Sequence, residues 1–269
     1  MGGTLGGRVG VVTGASAGIG EAIARDLVGA GARVVINARR KERLDALAGE
    51  LGAGRVAVVA GDAADEGVIG AMLDAARERF GAEADLVVVN AGRGLRGGLY
   101  DSDQGQWEQV IRVNLLAAAR LMRAAAERMI GNAAGPQVPA PGAAPHPPEG
   151  WEQRPRDIVV LGSTVGRHLS PFSSLYGSVK AGVHMLAEGL RRTMAPRGVR
   201  VSLIEPGIVR SEFQEAANYD PVTFGKFMDS IAPVLTPEDI ARLVAFMVGQ
   251  PAGVHINDVM IRPTRQEYP

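Results

Sequence analysis

The chain has 269 residues, 46% of them hydrophobic and 22% charged, with 29 basic and 29 acidic side chains that balance to zero. That length and apolar content can bury one full α/β core, while the balanced charge without a basic block argues against nucleic acid or an anionic membrane as partner. Cysteine is absent, which removes disulfides, thiolate nucleophiles and cysteine-ligated metal, and His146, His168, His184 and His255 show no ligand spacing. No apolar run approaches a membrane span and residues 1–8 carry no apolar leader, so a cytoplasmic protein is expected.

Residues 8–13 put Val9, Val11 and Val12 in a buried strand, followed at once by Gly14-Ala-Ser-Ala-Gly18-Ile-Gly20 and a helical pattern to Ala30. A strand, a glycine turn and a helix start make an anion site, because bare amides and the helix dipole face the same point. The glycines depart from the Gly-x-Gly-x-x-Gly fingerprint, and taken alone a plain strand-to-helix turn explains them equally well. A second strand, 33–38, runs into Asn37-Ala-Arg39-Arg40-Lys41. In a dinucleotide fold this strand end meets the adenosine ribose, where an acid accepts the 2′-hydroxyl and a base meets a 2′-phosphate. No acid stands here and three cations do, so NADP(H) is expected over NAD(H), with Arg39 as the main phosphate ligand and Arg40 as the second. The alternative for Arg40 and Lys41 is that they open a solvated helix.

A third strand, 55–60, leads to Gly61-Asp62-Ala63-Ala64-Asp65, with Asp65 as N-cap of a helix reaching Phe80. The fourth strand, 85–90, ends in Asn90-Ala91-Gly92, a small-residue turn. From 104 to 130 one long helix is predicted, with Val110, Val113, Leu116, Leu121 and Met129 facing inward and Asn114, a poor helix former, at its middle. Residues 131–156 hold seven prolines and four glycines in 26 positions, which forbids regular structure and favours an extended excursion. It joins a helix end to a strand start, the edge of such a sheet opposite the strands' carboxyl ends. A spacer or a subunit contact is expected there, anchored by Trp151, with a partner-docking proline segment as the alternative.

Residues 157–161 form a short strand that delivers Ser163 at its carboxyl end. A helix follows from 174 to 194, with Leu175, Val179, Val183, Leu186 and Leu190 in helical repeat, and Tyr176 and Lys180 share one face of it. A lysine ammonium beside a phenol favours the phenolate, and lowering that pKa from about 10 to about 7 takes roughly 4 kcal/mol. Tyr176 would then be a usable acid at neutral pH. Such a pair alone is usually a surface pair; here a hydroxyl stands thirteen residues upstream. A sixth strand, 199–205, ends in Pro206-Gly207-Ile-Val209-Arg-Ser211. The segment 208–232, with Phe213, Tyr219, Phe224, Phe227 and Met228, reads either as a pliable apolar cover for a substrate or as a helical pair packed on the core. Thr236-Pro-Glu-Asp is an N-cap with proline at the first helical position, and 256–261 reads as the last strand.

Thr13-Gly-x-x-x-Gly-x-Gly20, Asn90-Ala-Gly, Asn114, Ser163, Tyr176-x-x-x-Lys180 and Pro206-Gly occur in one order that resembles the short-chain dehydrogenases/reductases over nearly the whole chain except 131–156. The resemblance implies an α/β fold in which residues 1–269 form one Rossmann-like, doubly wound parallel sheet of about seven strands. It implies cofactor contacts at Gly14, Ser16, Ala17, Gly18, Ile19 and Gly20, at Asp62 and Ala63 beside the adenine, and at Asn90, Ala91 and Gly92 near a ribose. Further contacts are implied at Pro206, Gly207, Val209 and Ser211, with Tyr176 and Lys180 at the nicotinamide side.

The implied reaction is reduction of a ketone or aldehyde by NADPH, reversible with NADP+. Ser163 and Tyr176 would bind the carbonyl oxygen, Tyr176 would give the proton and Lys180 would bias it. Asn114 either bends its helix or, as in the family, holds a water that links Lys180 to solvent. The last third is similar to bacterial reductases of small hydroxy acids, aldehydes or secondary-metabolite ketones. A homodimer or homotetramer is implied, although Val254-His-Ile-Asn-Asp lacks the glycine pair that many relatives carry before the last strand. The competing reading is a nucleotide sensor that keeps the fold without turnover.

Overall fold

Short runs of valine, isoleucine and leucine alternate with longer amphipathic stretches, and each run becomes a strand of one sheet. The computed structural model describes residues 4–131 and 147–268. Among these, the strands are β1 (Val9–Thr13), β2 (Arg33–Ala38), β3 (Val56–Ala60), β4 (Leu86–Val89), β5 (Arg156–Leu161), β6 (Val199–Pro206) and β7 (Asp258–Ile261). They pair in the order β3-β2-β1-β4-β5-β6-β7, every pairing parallel. Parallel strands need crossovers, which cover both faces and leave the central strands wholly buried.

The crossovers are α1 (Gly18–Gly29), α2 (Lys41–Leu51), α3 (Glu66–Phe80), α4 (Trp107–Ile111), α5 (Ala117–Met129) and α6 (Ser174–Met194). Two short helices, α7 (Phe213–Ala216) and α8 (Pro221–Ser230), precede α9 (Pro237–Val248). Ile23, Leu27, Leu44, Ile240 and Val244 bring α1, α2 and α9 onto one face of the sheet. Ile69, Leu73, Leu121, Met122 and Val183 bring α3, α5 and α6 onto the other. Asp65 caps α3 through Gly67 N at 2.7 Å and Val68 N at 3.3 Å, and Thr236 with Asp239 closes a capping box on α9. No helix among the described residues is long and apolar enough to cross a membrane.

The long helix predicted over 104–130 forms without interruption from 107 to 129, but it is not regular throughout. A 3-10 turn at Gln104–Gln106 and α4 run into a π-helical turn, Arg112–Leu116, before α5 begins. The cause is Asn114, whose Nδ2 donates to Arg93 O at 2.8 Å and Val110 O at 3.0 Å, while its Oδ1 accepts from Arg93 N at 3.2 Å. A side chain drawn into the loop after β4 widens the helix at that point.

Within the proline-rich excursion, residues 132–146 lie outside the described residues. The rest returns to the sheet through Trp151, which packs on Gly198 so closely that a Cβ there would stand 3.1 Å from its ring. Gly198 directly precedes β6, so the anchor sits at the amino end of the strands, away from their carboxyl ends.

Three buried charges and one half-buried carboxylate meet at that same amino end. Arg8 reaches Asp85 at 2.7 Å and Asp157 at 2.8 Å, and Arg200 meets Asp157 through Nε at 2.7 Å and Nη2 at 2.9 Å. Asp157 is buried, and removing it leaves two enclosed guanidinium groups undercompensated. Asp157→Ala is expected to lower stability by about 3–5 kcal/mol. The measurement is chemical denaturation, read as a lower midpoint; a midpoint equal to that of the parent would overturn this account.

Candidate active site

The order of the sheet reverses between β1 and β4, and a crevice of about 850 Å³ opens there at the carboxyl ends of the strands. Its floor is built by the turn from β1 to α1. Ala17 is the N-cap of α1, extended and without a side chain that can cap, so the first-turn amides keep the free character that attracts a phosphate. Gly20 lies under this turn, where a Cβ would press on the Gly14 carbonyl and the Asn90 side chain. Thr13 ties β1 to β4: its Oγ1 accepts from Asn90 N at 3.1 Å and Ala91 N at 3.0 Å, and Asn90 Nδ2 returns a bond to Thr13 O at 2.8 Å.

At the end of β2 the crevice is cationic. Arg39 lines it, exposed and without a bonded side-chain partner among the described residues. Arg40 donates to Ser16 Oγ at 3.2 Å and 3.0 Å and to Glu212 at 2.9 Å, and Arg43 donates to the other oxygen of Glu212 at 2.6 Å. The Glu212 carboxylate thus stands between two guanidinium groups, which hold its pKa below the usual carboxylate range. Asp62 lines the same region but is engaged, accepting from Arg112 and from Ala64 N, each at 3.0 Å. Asn37 is fully buried in this wall with Oδ1 unpaired. An amide-lined turn, a cationic end and an orphaned acceptor along one elongated crevice fit a dinucleotide.

Ser163 follows β5, and Tyr176 and Lys180 project from α6 into the same crevice. Tyr176 is 8% exposed and Lys180 6%. Here the structure reverses an expectation. Burial pushes the Tyr176 phenol up from its ordinary value, helped by Tyr219, and the hydrogen-bonded Ser163 hydroxyl only partly offsets this. Lys180 is pushed down to about 8 by burial. Its Nζ donates to Leu161 O at 2.7 Å and lies 5.9 Å from the centre of the Tyr176 ring, so it is bound to the strand end rather than to the phenol. Desolvation outweighs attraction, and at neutral pH Tyr176 keeps its proton while Lys180 keeps most of its charge.

Of the positions singled out in the sequence, two lie off the crevice wall. Gly20 supports the turn from beneath. Asn114, 2% exposed, sits behind Gly92 with its amide donating to Arg93 and Val110. All the others line it: Gly14, Ser16, Ala17, Gly18, Ile19, Arg39, Arg40, Asp62, Ala63, Asn90, Ala91, Gly92, Ser163, Tyr176, Lys180, Pro206, Gly207, Val209 and Ser211. The segment after β6 contributes part of the crevice wall. Neither α7 nor α8 has a fully buried residue, and Phe213, Tyr219 and Phe224 line the crevice, Phe213 packing on the small cluster around Tyr176 with its ring 5.8 Å from that of Tyr176.

Some site residues escaped the sequence reading. Arg43 was accessible, since it stands one helical turn after Arg40. Glu212 and Gln266 were not, because they arrive from distant segments; Gln266 is buried beneath Gly207 and accepts from Ile208 N at 2.8 Å.

Comparison with known proteins agrees with this geometry. The family model described as short chain dehydrogenase matches residues 8–138 and 148–221. An uncharacterized oxidoreductase of Staphylococcus aureus (strain MW2) is 31% identical over 256 residues, 95% of this chain and 97% of that protein. Among solved structures, a serine dehydrogenase in closed form with NADP+ superposes with a TM-score of 0.79 at 30% identity, covering 97% of this chain and 96% of that one. A 3-ketoacyl-(acyl-carrier-protein) reductase from Brucella melitensis with NADH gives 0.81 at 25%, covering 97% and 99%.

The tight seat of Gly20 is testable. Gly20→Ala forces a methyl into the Gly14 carbonyl and is expected to cost about 1–3 kcal/mol of stability and to weaken dinucleotide binding. Denaturation and cofactor titration check this, and a variant that binds like the parent would remove the seat from the site.

Proposed function

The chain belongs to the short-chain dehydrogenase family, and from that premise we propose that it reduces a ketone or aldehyde to an alcohol with NADPH, Tyr176 giving the proton. The observation that carries this reading is the meeting of the Ser163 hydroxyl, a protonated Tyr176 and the Lys180 cation on one crevice wall, with Arg39, Arg40 and Arg43 at its other end. β2 and β5 are three strands apart, about 14 Å at the usual strand spacing, the reach a dinucleotide must cover.

When bound, NADPH supplies the hydride. The α1 amides and the Gly14–Gly20 turn would take its diphosphate, and Arg39, Arg40 and Arg43 its 2′-phosphate. Ser163 and Tyr176 donate to the carbonyl oxygen, so that charge developing there meets donors already fixed by packing. Tyr176 gives up its proton, and the enclosed Lys180 cation makes the resulting phenolate less costly. Asn114 acts at a distance by holding the Arg93 loop. Phe213, Tyr219 and Phe224 offer the substrate an apolar wall and exclude water.

The serine dehydrogenase likeness makes small hydroxy acids and their oxo forms the first compounds to try.

NADPH consumption across a panel of ketones and aldehydes tests the reading, with Tyr176→Phe as the decisive variant. It should bind NADPH as the parent does and lose about 100-fold or more in turnover. An active phenylalanine variant would end the proton-donor role, and NADPH bound tightly but consumed by no carbonyl would turn the reading to a sensor. Arg39→Asp should lower the NADPH to NADH preference by about 10- to 100-fold, measured as the ratio of kcat/KM values. An unchanged ratio would mean that the phosphate is held elsewhere.

A further inference from the structure

Tyr176, Lys180 and His184 stand four residues apart along α6 and form one stripe of it. The first two belong to the reaction proposed above; His184 has no part in it, yet it is 9% exposed and points at the loop that carries Ser163. That loop closes on the imidazole from two sides. A Cβ at Gly162 or at Gly166 would run into the His184 ring, so both positions leave room for it.

The last backbone bond from the β5 exit to β6 is Gly162 N to Ile204 O, at 2.7 Å. One residue further on, the partner is no longer a strand. Ser163 N donates to His184 Nε2 at 3.3 Å, while Ser163 O accepts from Gly166 N at 3.0 Å. An imidazole nitrogen that accepts must be unprotonated, so the proton of the neutral ring resides on Nδ1. Nδ1 faces Glu205 Oε2 at 3.9 Å, too far for a direct bond but placed so that the carboxylate favours a proton on that side.

Glu205 is itself fully buried and fixed. Arg167 grips it, through Nε at 3.0 Å and through Nη2, and Arg167 also reaches Asp258 at 2.6 Å. Burial, together with the Lys180 and Arg167 cations, keeps the imidazole pKa down at about 4, which leaves Nε2 free to accept at neutral pH.

We infer that His184 is a positioning residue: its neutral imidazole fixes the Ser163 backbone and thereby aims the Ser163 hydroxyl at Tyr176. The inference rests on the roles given to Ser163 and Tyr176 above. It makes α6 the carrier of three functions at successive turns, with Tyr176 for the proton, Lys180 for the charge and His184 for the aim of the serine.

The test compares the parent with His184→Gln and His184→Leu. A glutamine oxygen can reach the place of Nε2 and accept from Ser163 N, whereas leucine fills similar space without an acceptor. The leucine variant should keep its NADPH affinity and denaturation midpoint but lose about 10- to 100-fold in kcat, with faster hydrogen exchange at the Ser163 amide. Glutamine should restore both kcat and amide protection. His184→Asn, whose oxygen stops short, takes the place of leucine if that variant does not fold.

Equal impairment of the glutamine and leucine variants, or a fall in NADPH affinity and midpoint in step with kcat, would make His184 a core residue only. A leucine variant with parental turnover and a protected Ser163 amide would overturn the inference as well. If the parent itself consumes NADPH with no carbonyl, the functional reading fails, and amide exchange in the three proteins still decides whether His184 holds Ser163.

Discussion

Taking Tyr176 and Lys180 out of water is the constraint on which the site depends. Burial pushes each toward its neutral form, the phenol upward and the ammonium downward, so the fold has to supply what solvent no longer does. The ammonium is given the Leu161 carbonyl, at the end of the strand that delivers Ser163, which ties α6 to β5. The phenol is given the Ser163 hydroxyl on one side and the Phe213 ring on another. Helix α7 belongs to this solution, since it brings Phe213 against the small cluster around Tyr176. A drier crevice strengthens every dipole aimed into it.

What was legible in the sequence was local. Strands announced themselves as β-branched runs between glycines, Asp65 and Thr236 marked helix starts through their own side chains, and the turn after β1 carried its glycines where a positive φ, at Gly14 and Gly18, or close packing, at Gly14 and Gly20, requires them. Ser163, Tyr176 and Lys180 could be named because strand end and helix period fix where such side chains point.

What was not legible depended on distance or on burial. The carboxylate of Glu212 between Arg40 and Arg43 joins segments about 170 residues apart, and no periodicity encodes that. The direction of the Tyr176 shift was misjudged because a four-residue spacing reveals proximity to Lys180 but not the loss of solvent around both. The π-turn within the long helix followed from bonds between Asn114 and a loop that pattern alone cannot place. His184 was visible as the third member of a stripe, yet counting histidines for metal spacing hid it. Cofactor choice is similarly outside the fold: similar structures hold NADP+ in one case and NADH in another.

A sheet buried on both faces has a weakness, because valine runs without an inside and an outside pattern tolerate sliding past one another. The quartet of Arg8, Asp85, Asp157 and Arg200, buried except for Asp85, removes that freedom. Each charge belongs to, or directly precedes, a different one of β1, β4, β5 and β6, so a slip of a single residue in any of these strands would pull one of these ion pairs apart. Greasy segments state only that strands exist; these four ions proofread their alignment, and with it the level at which Thr13, Asn90, Ser163 and Pro206 emerge at the opposite rim.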